Sequence, residues 1–244
     1  MSLVLVMVSK PQECHFKLQV LTHGCAVIEN VLHEASLLHI RAEIERVQRQ
    51  ASGQSYAGIR HLLSRSEIIR TLASSGELQA LVEPILGPNA FCVRCILFDK
   101  SEQANWWVGW HQDLFITVRE RIDVPGYTGF WRKEGVLHVK PPAEVLANML
   151  TVRLHVDDCP VERGPLEVIP GSHTWGFLTP DQSEQCAREI AVSTLTAAAG
   201  GAILMRPLIL HASRKMTTPG QRRVLHFEFA ANDLPGGLEW AERC

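Results

Sequence analysis

A change of pattern near residue 91 constrains the fold of this chain most strongly. The first third carries helical periodicity, whereas short apolar segments separated by Gly, Pro and Asp turns follow it. Helices first and strands later, without regular alternation, indicate an α+β chain with an antiparallel barrel or sandwich. The strand-like segments are residues 91–98, 149–156, 165–170, 201–205 and 222–229. We therefore expect a mainly β jelly roll, a cupin-like double-stranded β-helix, with helices packed on one sheet.

Three segments of the first third have the periodicity of amphipathic helices. They are Glu34–Gln50, residues 66–73 and residues 77–86, the last of which is followed by a Gly-Pro pair that ends a helix. The expected apolar stripe of the first helix consists of Leu37, Leu38, Ile44 and Val47. The apolar residues 1–8 have no basic residue before them, so we expect a strand there and not a signal peptide.

One domain accounts for the whole chain, because barrels and sandwiches of ~200–250 residues commonly form a single unit. We expect a helical part over residues 30–88, a jelly-roll core over 90–230 and an insertion at about 115–145. The 24 Lys and Arg residues are balanced by 26 Asp and Glu residues, which argues against nucleic acid or a membrane as partner. No apolar run reaches the ~18 residues of a membrane span. A small-molecule substrate is the expected partner.

The seven cysteines are an odd and scattered set, which indicates a reducing compartment, and we expect the protein in the cytoplasm. Cys92 and Cys95 form a CxxC pair, a spacing that also occurs in zinc and redox sites. However, the pair lies in a strand-like segment, where residues three apart point to opposite faces, and the sequence has no second CxxC. Structural cysteines are the favoured interpretation.

The segment 149–156 alternates between two kinds of residue. Leu150, Val152, Leu154 and Val156 share one face of a strand, and the other face has Met149, Thr151, Arg153 and His155. The polar face either lies in water or lines a cavity inside the jelly roll. The strand pattern alone favours water, but the residues described next favour the cavity.

His111 and Asp113 form a His-x-Asp sequence. In a strand, residues i and i+2 project from the same face, so an imidazole and a carboxylate converge there. The pair alone is a weak signal, but His211 offers a third ligand beyond a Gly-Gly turn and an apolar strand. Two histidines and one carboxylate form the facial triad of non-haem Fe(II) oxygenases, which leaves positions open for a 2-oxo acid and for O2.

A 2-oxo acid needs a cation for its distal carboxylate, and Arg222 is placed to provide it. This residue begins the strand after His211 and follows a turn at 217–220, so a hairpin returns it toward the metal. A guanidinium group binds a carboxylate through two parallel hydrogen bonds. Ser213 lies on the same side as His211 and offers a hydroxyl, whereas Arg223 faces the other way and is expected at the surface.

From about residue 18 to 230 the chain resembles the phytanoyl-CoA dioxygenase family of Fe(II)/2-oxoglutarate oxygenases. The matching segments are HGCAVIENVL, LVEPILGPNA, LFDK, WHQD, LHVDDCPVERGPLEVIPGSH, LILHAS and RRVLHFEF. The resemblance implies a jelly-roll core, the same metal triad, and 2-oxoglutarate bound by Arg222. The residues that it places around the cosubstrate are Ser213, Arg153 and Ile96. At the position of Arg153 the family often has Trp.

Between Asp113 and Met149 lies a long segment without a clear strand or helix pattern. Connections of this length are commonly functional or mobile. One interpretation is a lid that contacts the substrate, with Trp131 and His138 as the candidate contacts. The other is a solvated loop.

Together these residues predict a dioxygenase that uses Fe(II), 2-oxoglutarate and O2 to hydroxylate an aliphatic C–H bond of a small molecule or acyl substrate. The expected coproducts are succinate and CO2. The carboxylate of Asp113 favours hydroxylation, because related halogenases have a small residue at that position. The alternatives are a non-catalytic cupin-like binding protein and a cofactor-independent metal enzyme on the same fold. The complete triad argues against the first and Arg222 against the second.

Overall fold

The computed structural model describes residues 10–51 and 58–244. The helices in these ranges are α1 (Lys10–His23), α2 (Glu34–Gln50), α3 (Leu62–Arg65), α4 (Glu67–Ala73), α5 (Gly76–Leu86), α6 (Ala143–Ala147) and α7 (Pro180–Glu189). The strands are β1 (Cys25–Ile28), β2 (Phe91–Lys100), β3 (Val108–His111), β4 (Ile116–Val118), β5 (Thr128–Lys133), β6 (Val136–Lys140), β7 (Leu150–His155), β8 (Leu166–Val168), β9 (Ser193–Leu195), β10 (Ala202–Met205), β11 (His211–Ser213) and β12 (Arg222–Ala230). The strand expected at residues 1–8 lies outside the described residues.

The predicted helices form where the apolar periodicity placed them. A serine hydroxyl caps α4, where Ser66 accepts the N–H of Ile69 at 3.1 Å, and such caps satisfy an otherwise unpaired donor. Helix α2 buries Leu37, Ile40, Ile44 and Val47. Leu38 is 57% exposed, so the predicted stripe is wrong at this one position.

Helix α1 is absent from the sequence prediction, because its apolar residues do not form one continuous stripe. Phe16 and Val20 are buried, whereas Leu18 and Leu21 are exposed. In the part of the chain that the structure describes, no helix combines the length and apolar character needed to cross a bilayer.

Five antiparallel strands form the main sheet in the order β1-β10-β7-β12-β2. One face of this sheet packs under the helices, where Val152 and Leu154 of β7 and Phe227 of β12 join a core that includes Leu37 and Leu81. The opposite face of β7 carries Arg153 into a cavity. The cavity interpretation of segment 149–156 is therefore correct for Arg153, whereas Thr151, on the same face, is buried and does not line the cavity.

The second sheet has the order β3-β11-β8-β9. A small apolar core joins it to the main sheet through Leu166 and Val168 on one side and Ile203 and Met205 on the other. Two antiparallel sheets that face each other, with helices on the outer face of one, are the predicted jelly roll.

Residues 115–145 form a third antiparallel sheet, in the order β4-β6-β5, followed by α6. This sheet has its own apolar core, in which Ile116 and Val139 pack with Leu234, Leu238 and Trp240 from the end of the chain. The segment is therefore ordered and not a solvated loop. Its strands were hard to see in the sequence because their apolar partners lie about 100 residues away.

Cys92 and Cys95 are both buried in the core under the helices. The register of β12 against β2 shifts between Glu228 and Phe229, so β2 gains an extra residue between the two cysteines. The expectation that they point to opposite faces is wrong for this reason. Within the described residues, neither cysteine belongs to a cluster of metal ligands.

Candidate metal centre

Two neighbouring strands bring the three predicted metal ligands together. His111 ends β3 and lies directly opposite His211, which begins β11. Asp113 lies two residues beyond the end of β3. The prediction that it shares a strand face with His111 is therefore wrong, although both side chains reach the same site. Its backbone N–H donates to the carbonyl of Pro207 at 2.9 Å, which fixes the backbone where the carboxylate can reach both imidazoles.

Gln112 holds this short segment in place. Its side-chain amide donates to the carbonyls of Gly176 and Leu208, each at 2.8 Å. Its Oε1 atom accepts the N–H of Leu178 at 2.9 Å. These three hydrogen bonds of one buried side-chain amide anchor the chain between His111 and Asp113. They take the place of the backbone hydrogen bonds that a continuous strand would make.

The ligand atoms converge on one point. One ligand atom each from His111, Asp113 and His211 lies within 4.8 Å of the other two. Each Nε2 atom is 3.9 Å from a carboxylate oxygen of Asp113. The Nδ1 atoms lie 2.8 and 2.9 Å from the carbonyls of Gly109 and Ile209. A carbonyl only accepts hydrogen bonds, so both Nδ1 atoms carry the proton and both Nε2 lone pairs are free for a metal.

The carboxylate of Asp113 fits a bound cation. Its Oδ2 atom is buried and has no hydrogen-bond partner among the described residues, which is costly without a compensating charge. Burial raises the pKa of Asp113, but the electrostatic interaction with the surrounding imidazoles, His211 first, and with Arg153 more than offsets this and lowers the pKa to about 2. Burial lowers the pKa of His211 to about 3. One carboxylate and neutral imidazoles are the protonation states that bind a divalent metal, and two nitrogens with one oxygen suit Fe(II).

Arg222 lines the same cavity as the triad, a space of about 250 Å³ between the two sheets. The side chain is 2% exposed, its Nη1 atom donates to the carbonyl of Gly164 at 2.6 Å, and the same atom lies 3.4 Å from the hydroxyl of Ser213. The Nε atom is buried and has no partner among the described residues. Arg222 and Ser213 therefore meet beside the triad, as the sequence predicted, and the guanidinium keeps unused donors.

Sequence reasoning missed Gly164, whose carbonyl accepts hydrogen bonds from both Arg222 and Ser213. Its φ of +60° lies in the left-handed region, and a Cβ atom there would lie 2.3 Å from the carbonyl oxygen of Arg214. Only glycine therefore lets the backbone approach this wall. The turn-forming Arg-Gly-Pro sequence was the available signal.

Lys100 is a second cation that sequence reasoning missed. It pairs with Arg222 across β2 and β12, and its Nζ atom donates to the hydroxyl of Ser213 at 2.8 Å and to the carbonyl of Arg214 at 2.6 Å. The side chain is fully buried, and burial together with the charge of Arg222 lowers the pKa of Lys100 to about 7. A lysine at the end of an apolar strand was the only signal.

Arg153 and Ile96 also line the cavity. Nη1 of Arg153 lies 3.0 Å from Nδ1 of His226, and the guanidinium lies 5.7 Å from the ring centre of Phe98. The Nε atom of Arg153 is buried and unpaired within the described part of the chain. Burial lowers the pKa of this arginine to about 10, so it stays charged at neutral pH.

Sequence reasoning also missed two ion pairs at the cavity, one of which joins β2 and β12. Arg94 of β2 forms an ion pair with Glu228 of β12 at 3.1 Å, and both line the cavity. Arg60 lines it too and pairs with Glu134, in the turn between β5 and β6, at 2.6 Å. Arg94 is a single arginine within an apolar segment, and neither it nor Arg60 belongs to a recognisable motif.

Trp131 and His138 do not line the cavity. The two rings stack at 4.5 Å between centroids, and Trp131 is 42% exposed. His138 lies 3.3 Å from Nη2 of Arg94, and burial lowers its pKa to about 4, so it is neutral. The insertion therefore reaches the cavity wall through two contacts: His138 faces Arg94, and Glu134 pairs with Arg60.

A jelly roll that holds two histidines and one carboxylate beside a cationic cavity defines a mononuclear non-haem iron oxygenase. The profile of the phytanoyl-CoA dioxygenase (PhyH) family matches residues 20–224, and the chain belongs to this family. It is accordingly a 2-oxoglutarate-dependent dioxygenase, with Fe(II) as its metal.

The chain is similar to several individual proteins, one in sequence and two in fold. L-proline trans-4-hydroxylase of Streptomyces griseoviridis is 25% identical over 238 residues, which cover 83% of this chain and 80% of the relative. HygX from Streptomyces hygroscopicus, solved with nickel and 2-oxoglutarate bound, has a TM-score of 0.66 at 17% identity and covers 91% of this chain and 87% of its own. EctD from S. alaskensis with bound Fe has a TM-score of 0.69 at 17% identity, over 93% and 79%.

Proposed function

We propose that the protein hydroxylates an aliphatic C–H bond of a small molecule, with His111, Asp113 and His211 holding Fe(II) and Arg222 binding 2-oxoglutarate. One observation carries this proposal. The ligand atoms and the unused donors of Arg222 face a single cavity, so that a 2-oxo acid bound at the metal has a cation for its distal carboxylate.

The protein's own groups prepare this site for chemistry. Bound Fe(II) would supply the oxidation of a C–H bond, coupled to conversion of 2-oxoglutarate and O2 into succinate and CO2. The backbone carbonyls of Gly109 and Ile209 hold the two imidazoles in the tautomer that presents Nε2. Arg222 and Lys100, with Ser213 between them, form a cationic end that favours the distal carboxylate and fixes its orientation.

The size of the cavity supports a small substrate. At about 250 Å³ it lies below the ~300–1,000 Å³ of typical ligand pockets, yet it must also hold the cosubstrate. Such a space favours a compact substrate over a complete coenzyme A thioester. The relative named L-proline trans-4-hydroxylase, and the EctD structure with 2-oxoglutarate and 5-hydroxyectoine, likewise support a compact substrate.

The variant Arg222→Ala should weaken 2-oxoglutarate binding about 10- to 100-fold and leave iron bound, because a charge-assisted hydrogen-bonded pair contributes about 1.5–3 kcal/mol. Anaerobic titration of the Fe(II) protein with 2-oxoglutarate, followed by its weak visible charge-transfer band, measures the Kd. Wild-type protein should bind one equivalent. Failure of the wild type to bind would contradict the proposed function itself.

The control for this experiment is Arg223→Ala. Arg223 donates to both carboxylate oxygens of Asp157, at 2.7 and 2.8 Å, on the opposite face of β12. It is 8% exposed, so the expectation of a surface charge is wrong, although the predicted face is correct. We expect Arg223→Ala to lower the Tm without changing the Kd for 2-oxoglutarate. If the two variants behaved in reverse, the role assigned to Arg222 would have to be withdrawn.

The affinity for 2-oxoglutarate should fall as the pH rises from 6 to 9. Burial holds the pKa of Lys100 at about 7, so this lysine is cationic below that pH and neutral above it. An anion prefers the cationic form, and the loss of one charge-assisted contact reduces affinity by about 10-fold. The same titration at several pH values measures this dependence. In Lys100→Met the pH dependence should disappear, and a slope retained by that variant would exclude Lys100 as its source.

A further inference from the structure

The cavity carries more positive charge than the proposed reaction partners neutralise. Five basic side chains line it, against the lining carboxylates of Asp113 and Glu228 and that of Glu134, which pairs with Arg60 from outside the lining. The cations are Arg60, Arg94, Lys100, Arg153 and Arg222. Fe(II) adds two positive charges and 2-oxoglutarate removes two, so binding of both leaves the surplus as it was. A buried surplus of cations favours a further anionic ligand.

Four of the five cations fall into two groups along the β12–β2 ladder, and Arg153 of β7 lies opposite His226 between them. Arg222 pairs with Lys100, and Glu228 pairs with Arg94, in one uninterrupted stretch of the β12–β2 ladder. Six residues separate the two pairs, which is about 20 Å at ~3.3 Å per residue. A five-carbon diacid that is held by Arg222 therefore lies at the end of the ladder opposite Arg94. The second group therefore has no role in binding the cosubstrate.

Arg60 and Arg94 retain donors that the protein does not use. Arg94 gives Nη1 to Glu228 and faces His138 with Nη2. Arg60 gives Nη1 to Glu134, and its Nε atom is buried without a hydrogen-bond partner among the described residues. A guanidinium group has five N–H donors, so each arginine can still bind a carboxylate.

The backbone places these two arginines side by side. Ile59 exchanges two hydrogen bonds of 2.9 Å with Leu97, which lays the segment carrying Arg60 along β2. Burial lowers the pKa of Arg60, Glu134 partly offsets this, and the nearby charge of Arg94 lowers the pKa further, as expected of two cations that share one wall. Two close guanidinium groups that face a cavity are stabilised by an anion between them.

We propose that Arg60 and Arg94 bind a carboxylate of the primary substrate, so that the substrate is a small organic acid or amino acid. This inference rests on the proposed function, because the triad must lie between the two anion sites. The carboxylate anchors one end of the substrate at Arg60 and Arg94. The remaining part of the molecule extends toward the triad, which determines the carbon that is presented for hydroxylation.

Anaerobic calorimetry on the wild-type protein with Fe(II) and 2-oxoglutarate bound tests this inference without turnover. The probes are glycine, L-alanine, L-proline, butyrate and benzoate, each compared with its primary amide, which lacks the negative charge. We expect at least one acid to bind, and its amide to bind at least about 10-fold more weakly, since the charge-assisted pair is lost.

The variants Arg60→Gln and Arg94→Lys should each weaken binding of that acid by about 10-fold or more. Arg94→Lys keeps a positive charge beside Glu228 and so preserves the fold. The matched control is Arg119→Gln, which removes an exposed arginine paired with Glu239 outside the cavity and should change nothing. Thermal unfolding of each variant shows whether it is folded.

Three results would overturn the inference: no acid binds, an acid and its amide bind equally, or Arg60→Gln binds the acid as the wild type does. Failure of the proposed function looks different. In that case the wild-type protein does not bind 2-oxoglutarate at all in the preceding titration, before any probe is added.

Discussion

Replacement of either triad histidine by alanine, in His111→Ala or His211→Ala, should abolish stoichiometric iron binding. Each substitution removes one of three ligands, and the remaining imidazole and carboxylate form an incomplete site. After anaerobic reconstitution with Fe(II) and desalting, the wild type should retain about one iron per chain, as expected of a mononuclear site. Each variant should retain almost none.

The control for this prediction is His138→Ala. His138 is buried like His211, but it stacks on Trp131 and faces Arg94 and not the triad. Loss of its ring should lower the Tm and leave the iron content unchanged. If His111→Ala still bound one iron, the assignment of the metal centre would be wrong, whatever the activity of that variant.

The fold could be predicted from the sequence where local pattern and burial agree. The alternation in β7 and the periodicity of α2 reflect one buried face each, so the residues alone identify them. Helix α1 was missed because its apolar residues are split between buried and exposed faces, and the sheet of residues 115–145 because its burial depends on distant partners. Ile116 packs with Trp240, which a local pattern cannot reveal. The bulge in β2, which turns Cys92 and Cys95 to the same core, depends likewise on the pairing with β12.

The candidate site could be predicted where chemistry requires a particular spacing. His111, Asp113 and His211 were found from ligand type, and Arg222 from its place in the hairpin after His211. Lys100 was missed because nothing in the sequence shows that β2 lies beside β12 with Lys100 opposite Arg222. Arg60 was missed for the same reason, since only its contact along β2 brings it to the cavity.

Asp113→Gly should open a coordination position, lower the iron affinity and lose most of the hydroxylation. The carboxylate of Asp113 supplies the anionic ligand, and its buried Oδ2 atom has no other partner among the described residues. While this carboxylate is bound there is no room for chloride, so the wild type should not need halide. The side chain of Asp113 is 33% exposed and lines the cavity, so its removal leaves the packed apolar cores intact and we expect the fold to persist.

The measurement is succinate formation from 2-oxoglutarate in air with Fe(II) and ascorbate, slow without the primary substrate and faster with it. We expect the wild type to turn over and Asp113→Gly to lose at least about 90% of the rate, as loss of an interaction worth about 1.4 kcal/mol already gives a tenfold change. Asp113→Glu is the matched control, because it keeps the charge but moves the carboxylate by one methylene. Intermediate iron affinity in Asp113→Glu would mark the carboxylate as a ligand. Equal succinate formation by the wild type and Asp113→Gly would instead show that Asp113 does not bind the metal, and the triad would have to be abandoned.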